Sequence, residues 1–388
     1  MTSAEAMEPP AWLVAAGDFV TTGGMDAANH ALASYLARSG RETHLVAHRV
    51  APDLAALPGV RVHPVPRPFG AHLLGFPLLS RMAVHEWNQA ARGGRRVVAL
   101  ANGGNFGGMA TWLHYVHAAY HPRIAGQPLR RVVQHAAARK ARRDERAVVS
   151  RARVVIANSR LTARHAVDLL GADPKRVHVA YYGADAGRFR PPSPEERSEA
   201  RRALGIEGDA PVLAFVGALG DRRKGFDTLH DALSRLARDP AWNATLLVAG
   251  SGSELEDWKR KAAAAGMERR VRFLGFQPDV RRVLFAADAI VAPTRYEAYG
   301  LAVQEAVCCG LPAIVTRAAG VAERIPAPLD ALLLDDADDA DGLSARLRAW
   351  TSDVERHRAA ALDLSAALRA WTWDHMAARI VDIVESGL

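Results

Sequence analysis

Short apolar runs bounded by glycine recur along the chain. Residues 11–16, 44–47, 96–100, 154–157, 212–216, 245–249, 271–274, 289–293 and 312–316 are rich in Val, Leu, Ile and Ala and show little polar alternation. Runs of that length and continuity read as strands buried on both faces, the pattern of parallel sheets. Between them lie helical stretches with clear stops, 27–39 before Gly40, 228–237, and 301–309 closed by Gly310 and Pro312. Strand, glycine loop, helix, strand is the unit of an open, doubly wound α/β sheet. The pattern begins near residue 11 and restarts near 212. Between the two series lie Phe189-Arg190-Pro191-Pro192-Ser193-Pro194 and a charged helix over 195–204, which read as a linker. A chain of 388 residues is natural for two domains of about 190 each, here 1–190 and 191–370.

Three segments interrupt this regularity. Residues 68–82 are apolar without a clean period, and buried packing is the expectation, a flap over a substrate or lipid surface the alternative. Residues 111–122 contain His114 and His117, whose spacing suits one helix face and not one strand face. A histidine in apolar company is more often a satisfied core group than a catalytic one. Residues 129–153 carry the densest positive charge, with alanines between the arginines, and read as an exposed helix. Contact with an anionic membrane through 130–153 is the sharper alternative. No aromatics interleave with these charges, which disfavours nucleic acid.

Composition narrows the class. Hydrophobic residues make up 49% and charged residues 24%, as in a soluble protein with full cores. No apolar run approaches the ~20 residues of a membrane span. The acidic start of the chain lacks the basic and apolar regions of a signal peptide. Cys308 and Cys309 are adjacent and offer neither a disulfide framework nor a metal spacing, so a reducing, cytoplasmic setting is expected. Net charge is +8, which asks for an anionic partner. Lysine occurs only at 140, 175, 224, 259 and 261, so Lys224, held inside a glycine loop, stands out.

Candidate chemistry lies at the ends of the expected strands. The turn after 289–293 holds Glu297, Tyr299 and Gly300 and opens a helix at Leu301. Free N–H groups there, aided by the helix dipole, make an anion site. Glu305 lies further along the helix, on the order of 10 Å from Glu297, a separation that suits the two ends of a nucleotide sugar. The strand 212–216 runs into Gly217 and a basic loop containing Arg222, Arg223 and Lys224. Such cations would stabilise a diphosphate leaving group. Gly250 follows the next strand, and Phe276 and Gln277 follow the one after. Gly23 and Gly24 follow the first strand of the chain, but their loop is not the Gly-x-Gly-x-x-Gly fingerprint, so NAD is disfavoured.

These motifs, in this order, resemble the retaining glycosyltransferases of family 4 (glycosyl transferases group 1). Glu297 and Glu305 match the family's Glu-x7-Glu pair, and Lys224 matches the lysine of its Gly-Arg-Leu-x-x-x-Lys-Gly loop. The family arginine is replaced by Ala218, and Arg223, ahead of Arg222, is the expected substitute. The resemblance implies a GT-B fold, two Rossmann-like domains facing a central cleft, with the last helix, within 371–388, crossing back to complete the N-terminal domain. It also implies a metal-independent hexosyltransferase with no cofactor beyond its co-substrate, a nucleoside diphosphate sugar, with UDP favoured. The acceptor would be a hydroxyl of a saccharide, lipid-linked glycan or small metabolite. Glu297, His117, Lys224 and Arg223 would act at the reacting centre. Gly23, Gly24, Gly217, Arg222, Gly250, Phe276, Gln277, Tyr299, Gly300, Leu301 and Glu305 would bind the donor. The alternatives are another GT-B enzyme, such as a sugar-nucleotide epimerase or phosphorylase, and a non-catalytic sugar-nucleotide binder or membrane-associated scaffold.

Overall fold

The structure is a computed structural model that describes residues 9–70, 72–92, 96–103, 109–122, 128–220 and 222–387. The acidic start of the chain, most of the glycine-rich loop expected over 102–108 after the strand 96–100, and Asp221 therefore lie outside the described residues. The chain divides into two compact units. The first takes in Met1–Ala119, Ile124–Tyr182 and Trp373–Leu388; the second takes in Gly183–Thr372 with Tyr120–Arg123.

The first unit is built on β1 (Ala11–Ala15), β2 (Asp18–Phe19), β3 (Thr43–Ala47), β4 (Arg49–Val50), β5 (Val60–Pro64), β6 (Val97–Asn102), β7 (Ala110–Leu113), β8 (Val154–Ala157) and β9 (Val177–Val179). Seven of these form one sheet in the order β5-β3-β1-β6-β7-β8-β9, while β2 pairs with β4. Every pairing is parallel. β1, β3, β6, β7 and β8 are buried along their whole length, which is why they read as continuous apolar runs. The C-terminal helix Trp373–Ser386 belongs to this unit, and its face of Met376, Ala377, Ile380, Val381, Ile383 and Val384 is buried. Glu385 fastens it to the sheet by accepting from Trp12 Nε1 at 3.1 Å and from Arg41 Nε at 3.0 Å.

The second unit carries β10 (Val212–Val216), β11 (Thr245–Ala249), β12 (Val271–Gly275), β13 (Ala289–Ala292) and β14 (Ala313–Val315). They form one parallel sheet in the order β12-β11-β10-β13-β14. Strand order reverses on either side of β10, so the carboxyl ends of β10 and β13 flank the topological switch point, where open sheets bind ligands.

Two expectations are corrected. The stretch 191–204 is no linker: the division falls at Tyr182, and Ser193 opens the helix Pro194–Ala203 of the second unit through a capping box with Glu196. From that helix Arg197 donates to Ala287 O at 2.8 Å and to Asp288 at 2.6 Å, bonds that a free connector would not make. Nor is 68–82 wholly buried. Most of it lies in the helix His72–Arg92, which buries Leu79 and Ala83 against the sheet while Phe69, Leu74 and Phe76 are exposed. Pro77 sits inside this helix and removes one hydrogen-bond donor from it.

Candidate active site

Beyond β10 the chain runs through Gly217 to a turn of 3-10 helix, Arg222–Lys224, and then Gly225. Gly225 has φ 70°, and a Cβ there would stand 1.7 Å from Pro293 O, so only glycine lets this loop touch the end of β13. The contact is locked by Arg295 N, 2.8 Å from Arg223 O, and by Thr294 Oγ1, 2.8 Å from the same oxygen. The Lys224 stem lies over Gly217, where a Cβ would meet its Cγ at 3.3 Å.

That approach gathers the two cations onto one carboxylate. Lys224 Nζ donates to Glu297 Oε2, and Arg223 donates to the same oxygen at 3.0 Å and to Tyr296 O at 3.2 Å. Burial pushes the Glu297 carboxyl upward, but the Lys224 and Arg223 charges outweigh it and hold the group below its usual value. Its backbone is clamped as well, with Glu297 N on Ala318 O and Gly320 N on Glu297 O, both at 3.0 Å. Arg222 turns the other way. Its Nε donates to Asp227 at 2.5 Å, and Arg295 joins that carboxylate at 2.8 Å, so Arg222 braces the loop and does not face Glu297.

Gly300, at φ 106°, opens the helix Leu301–Cys308, and no side chain caps it. Val303 and Gln304 donate to Gly300 O at 3.0 and 3.1 Å, which leaves the N–H groups of Leu301 and Ala302 at the helix start without a partner within the helix. Tyr299 is buried behind them, its hydroxyl on Gln304, whose amide donates to Gly183 O at 2.8 Å. Glu305, on the same helix, is half-buried. Burial pushes its carboxyl up to about 7, with Arg188 opposing the shift and Asp185 and Asp279 adding to it.

The neighbouring strand ends complete the rim. A Cβ on Gly250 would lie 1.8 Å from Gly217 O, so glycine is required where the β11 and β10 loops meet. Gly217 N donates to Ala249 O at 3.0 Å and Gly250 N to Gly275 O at 2.8 Å, tying three loops together. Phe276 then projects with 72% of its surface exposed. Gln277 folds back instead, donating to Leu274 O at 2.8 Å. Of the site residues expected in this unit, the structure thus brings Lys224, Arg223, Glu297 and the start of the helix together, and turns Arg222 aside. The role of Gly225 was the part missed; its signal was the glycine directly after Lys224.

In the first unit Gly23, at φ 87°, precedes the helix Gly24–Arg38 in an exposed turn after β2. Asp26, one turn in, is pushed up to about 6 by burial and by the Asp18 charge. The two histidines separate by environment. His114 follows β7, packs on Trp112 at 4.2 Å between ring centroids, and bonds Tyr182 OH through Nδ1. Burial drives its pKa down to about 3, so it is a neutral core group. His117 is half exposed and held by Glu145 from the helix Pro128–Val149. Glu145 is itself 1% exposed and was missed among the arginines of that helix.

Among the described residues no group of three or more His, Cys, Asp or Glu side chains is placed to hold a metal ion. Asp335, Asp336, Asp338 and Asp339 are exposed; Asp335 pairs with Arg317, and Asp339 caps the helix Ala340–Thr351. No helix among the described residues is long and apolar enough to cross a membrane.

Two parallel sheets wound in this way, with a cationic loop and a paired glutamate at the switch point of the second, define a GT-B protein. Comparison with solved structures agrees. Sucrose-phosphate synthase from Thermosynechococcus elongatus superposes with a TM-score of 0.75 at 20% identity, over 98% of this chain and 99% of its own. The Anabaena protein HepE, solved in complex with UDP-glucose, gives 0.71 at 19% identity, over 97% and 100%. The family model Glycosyltransferase Family 4 matches residues 22–188, and Glycosyl transferases group 1 matches 196–361. The chain belongs to the family 4, group 1 glycosyltransferases. Among curated relatives, a D-inositol 3-phosphate glycosyltransferase of Nocardia farcinica is 32% identical over 254 residues, 63% of this chain and 55% of the relative. The chain thus spans about half the length of the curated relatives it matches.

Proposed function

We propose that this protein is a retaining hexosyltransferase that moves a sugar from a nucleoside diphosphate sugar, UDP-linked in first preference, to a hydroxyl acceptor. The observation that carries this reading is the convergence of Lys224 and Arg223 on Glu297 beside the uncapped helix start at Gly300. The two cations and the first-turn N–H groups of that helix would receive the diphosphate, whose charge grows as the glycosidic bond breaks. Glu305 would accept hydrogen bonds from the ribose hydroxyls, Phe276 would stack on the base, and Glu297 would orient the sugar. In the retaining step the bond from C1 to the phosphate oxygen breaks and the bond from C1 to the acceptor oxygen forms on the same face. The acceptor's proton passes to the departing diphosphate, and neither a metal ion nor an enzyme nucleophile takes part. HepE was solved with UDP-glucose, which supports the donor class. The relatives' name makes a phosphorylated cyclitol the first acceptor to assay.

Thermal melting with UDP, GDP, ADP and NAD, on the native chain and on Lys224→Ala and Glu305→Ala, tests the donor site. A ligand at 100 times its dissociation constant adds ~2.7 kcal/mol to the folded state. One nucleoside diphosphate should raise the melting temperature of the native protein and lose most of that effect in both variants. Stabilisation by NAD alone, or by none of the four, overturns the reading. Binding without turnover of the matching sugar nucleotide makes the protein a non-catalytic binder.

A further inference from the structure

The helix Pro128–Val149 is largely exposed and rich in arginine, yet one of its carboxylates points inward. Glu145 is 1% exposed, and both of its oxygens are committed to a single residue. Oε2 accepts the backbone N–H of His117 at 2.9 Å, and Oε1 lies 3.1 Å from His117 Nδ1. Burying a carboxylate is costly unless donors satisfy it. Here the donors come from the main chain and the ring of the same histidine, which fixes both where residue 117 sits and how its ring is turned. The edge of Tyr115, 5.2 Å away between centroids and inclined by 70°, limits the ring from another side. The imidazole is half exposed, so its outer edge meets solvent.

An ionised carboxylate only accepts hydrogen bonds, so the His117 proton is placed on Nδ1. In the neutral ring Nε2 then keeps a lone pair on the exposed edge. We propose that Glu145 is a positioning residue that holds His117 as the Nδ1–H tautomer, so that Nε2 accepts a hydrogen bond from a hydroxyl of the donor sugar. The role rests on the reading of His117 as a donor-sugar contact. Glu145 touches no substrate; it acts through the imidazole, as a carboxylate behind a functional histidine commonly does.

Glu145→Gln is the discriminating substitution. The amide keeps the shape of the side chain and its carbonyl still accepts from His117 N–H. Its NH2 group, however, faces Nδ1 and donates to it, driving the imidazole proton to Nε2. Nitrogen-15 NMR of the histidine-labelled full chain reads this directly, with the His117 signals assigned by their loss in His117→Gln. The native protein should show Nδ1–H, and Glu145→Gln should show Nε2–H at an unchanged melting temperature. Native His117 found as the Nε2–H form, or protonated on both nitrogens at the pH of the transfer assay, overturns the proposal without recourse to any variant.

Transfer assays separate this outcome from failure of the functional reading. With the donor site working, Glu145→Gln should lower kcat/KM for the sugar donor ~10- to 100-fold while UDP binding holds. Glu145→Asp, which keeps the charge, should recover part of the loss. If His117→Ala transfers sugar at the native rate, the reading of His117 falls and the positioning role with it. If His117→Ala is impaired while Glu145→Gln matches the native enzyme, Glu145 is structural only and the proposal fails alone.

Discussion

The residue scale is ruled by carboxylates in unlike surroundings. Glu297 and Glu305 lie on one short segment, yet two cations hold the first below its usual value while burial lifts the second to about 7. The sign of the second effect gives a prediction. The unfolded chain releases the Glu305 proton near 4.5 and the folded chain near 7, so the folded state binds more protons between those values. Stability from this group is therefore fully present below about 4.5 and declines as pH rises through about 7. At ~1.4 kcal/mol per tenfold change in proton affinity, the penalty above that range is at most about 3 kcal/mol, and solvent at this half-buried group screens part of it. Glu305→Gln should be more stable than the native protein at pH 8, by about 1 kcal/mol in urea unfolding, with the two converging at pH 4 to 5. A variant less stable at pH 8 would show that Glu305 is held by a partner that favours its charge.

At the scale of elements, the second unit depends on how its helices begin. Helix Pro194–Ala203 carries Arg197 and Arg201 to Asp288, and Asp288 in turn accepts from Val212 N at 2.9 Å at the start of β10. The helix begins at Ser193, whose hydroxyl accepts from Glu196 N at 3.2 Å while its own N–H donates to Glu196 Oε2 at 2.7 Å. Ser193→Ala should cost ~1 kcal/mol, the usual value of an N-cap. A change under a few tenths in chemical denaturation would mean that the arginine contacts alone set the helix start. The helix itself was legible, read from the sequence over 195–204. Its purpose was not, because prolines read as a joint until Asp288 is seen to receive the helix's arginines.

Across the whole molecule, sequence order and spatial order part company at the last helix. Trp373–Ser386 follows the second unit along the chain but packs in the first, where it buries Ile380, Val384 and their neighbours. The first unit is therefore discontinuous, and most of the second is one uninterrupted segment, Gly183–Thr372. A chain ending at Thr372 should show early proteolytic cuts within 9–182, while 183–372 resists cleavage. Losing even one buried aliphatic side chain of that helix costs ~2–5 kcal/mol, so losing the whole face should open this unit. Equal protection of both segments would mean that the helix is dispensable.

The five strands of the second sheet, β1, β3, β6 and β8 of the first, their parallel pairing and the order of the site motifs were determined by the sequence alone, whereas β5, β7 and β9 were not read as strands. A strand buried on both faces must be apolar at every position, and a loop that hosts an anion must carry glycine and cations, so local composition records both. Partners of long charged side chains leave no such trace. Nothing in the consecutive Arg222, Arg223 and Lys224 tells which face Glu297; that follows from Gly225 passing against Pro293 O. Nor does an arginine-rich helix announce that Glu145 is its inward carboxylate, or a run of apolar residues that Phe69 and Phe76 stay exposed while Leu79 is buried. Those outcomes depend on approach through space between segments distant in the chain, and only the tertiary structure decided them.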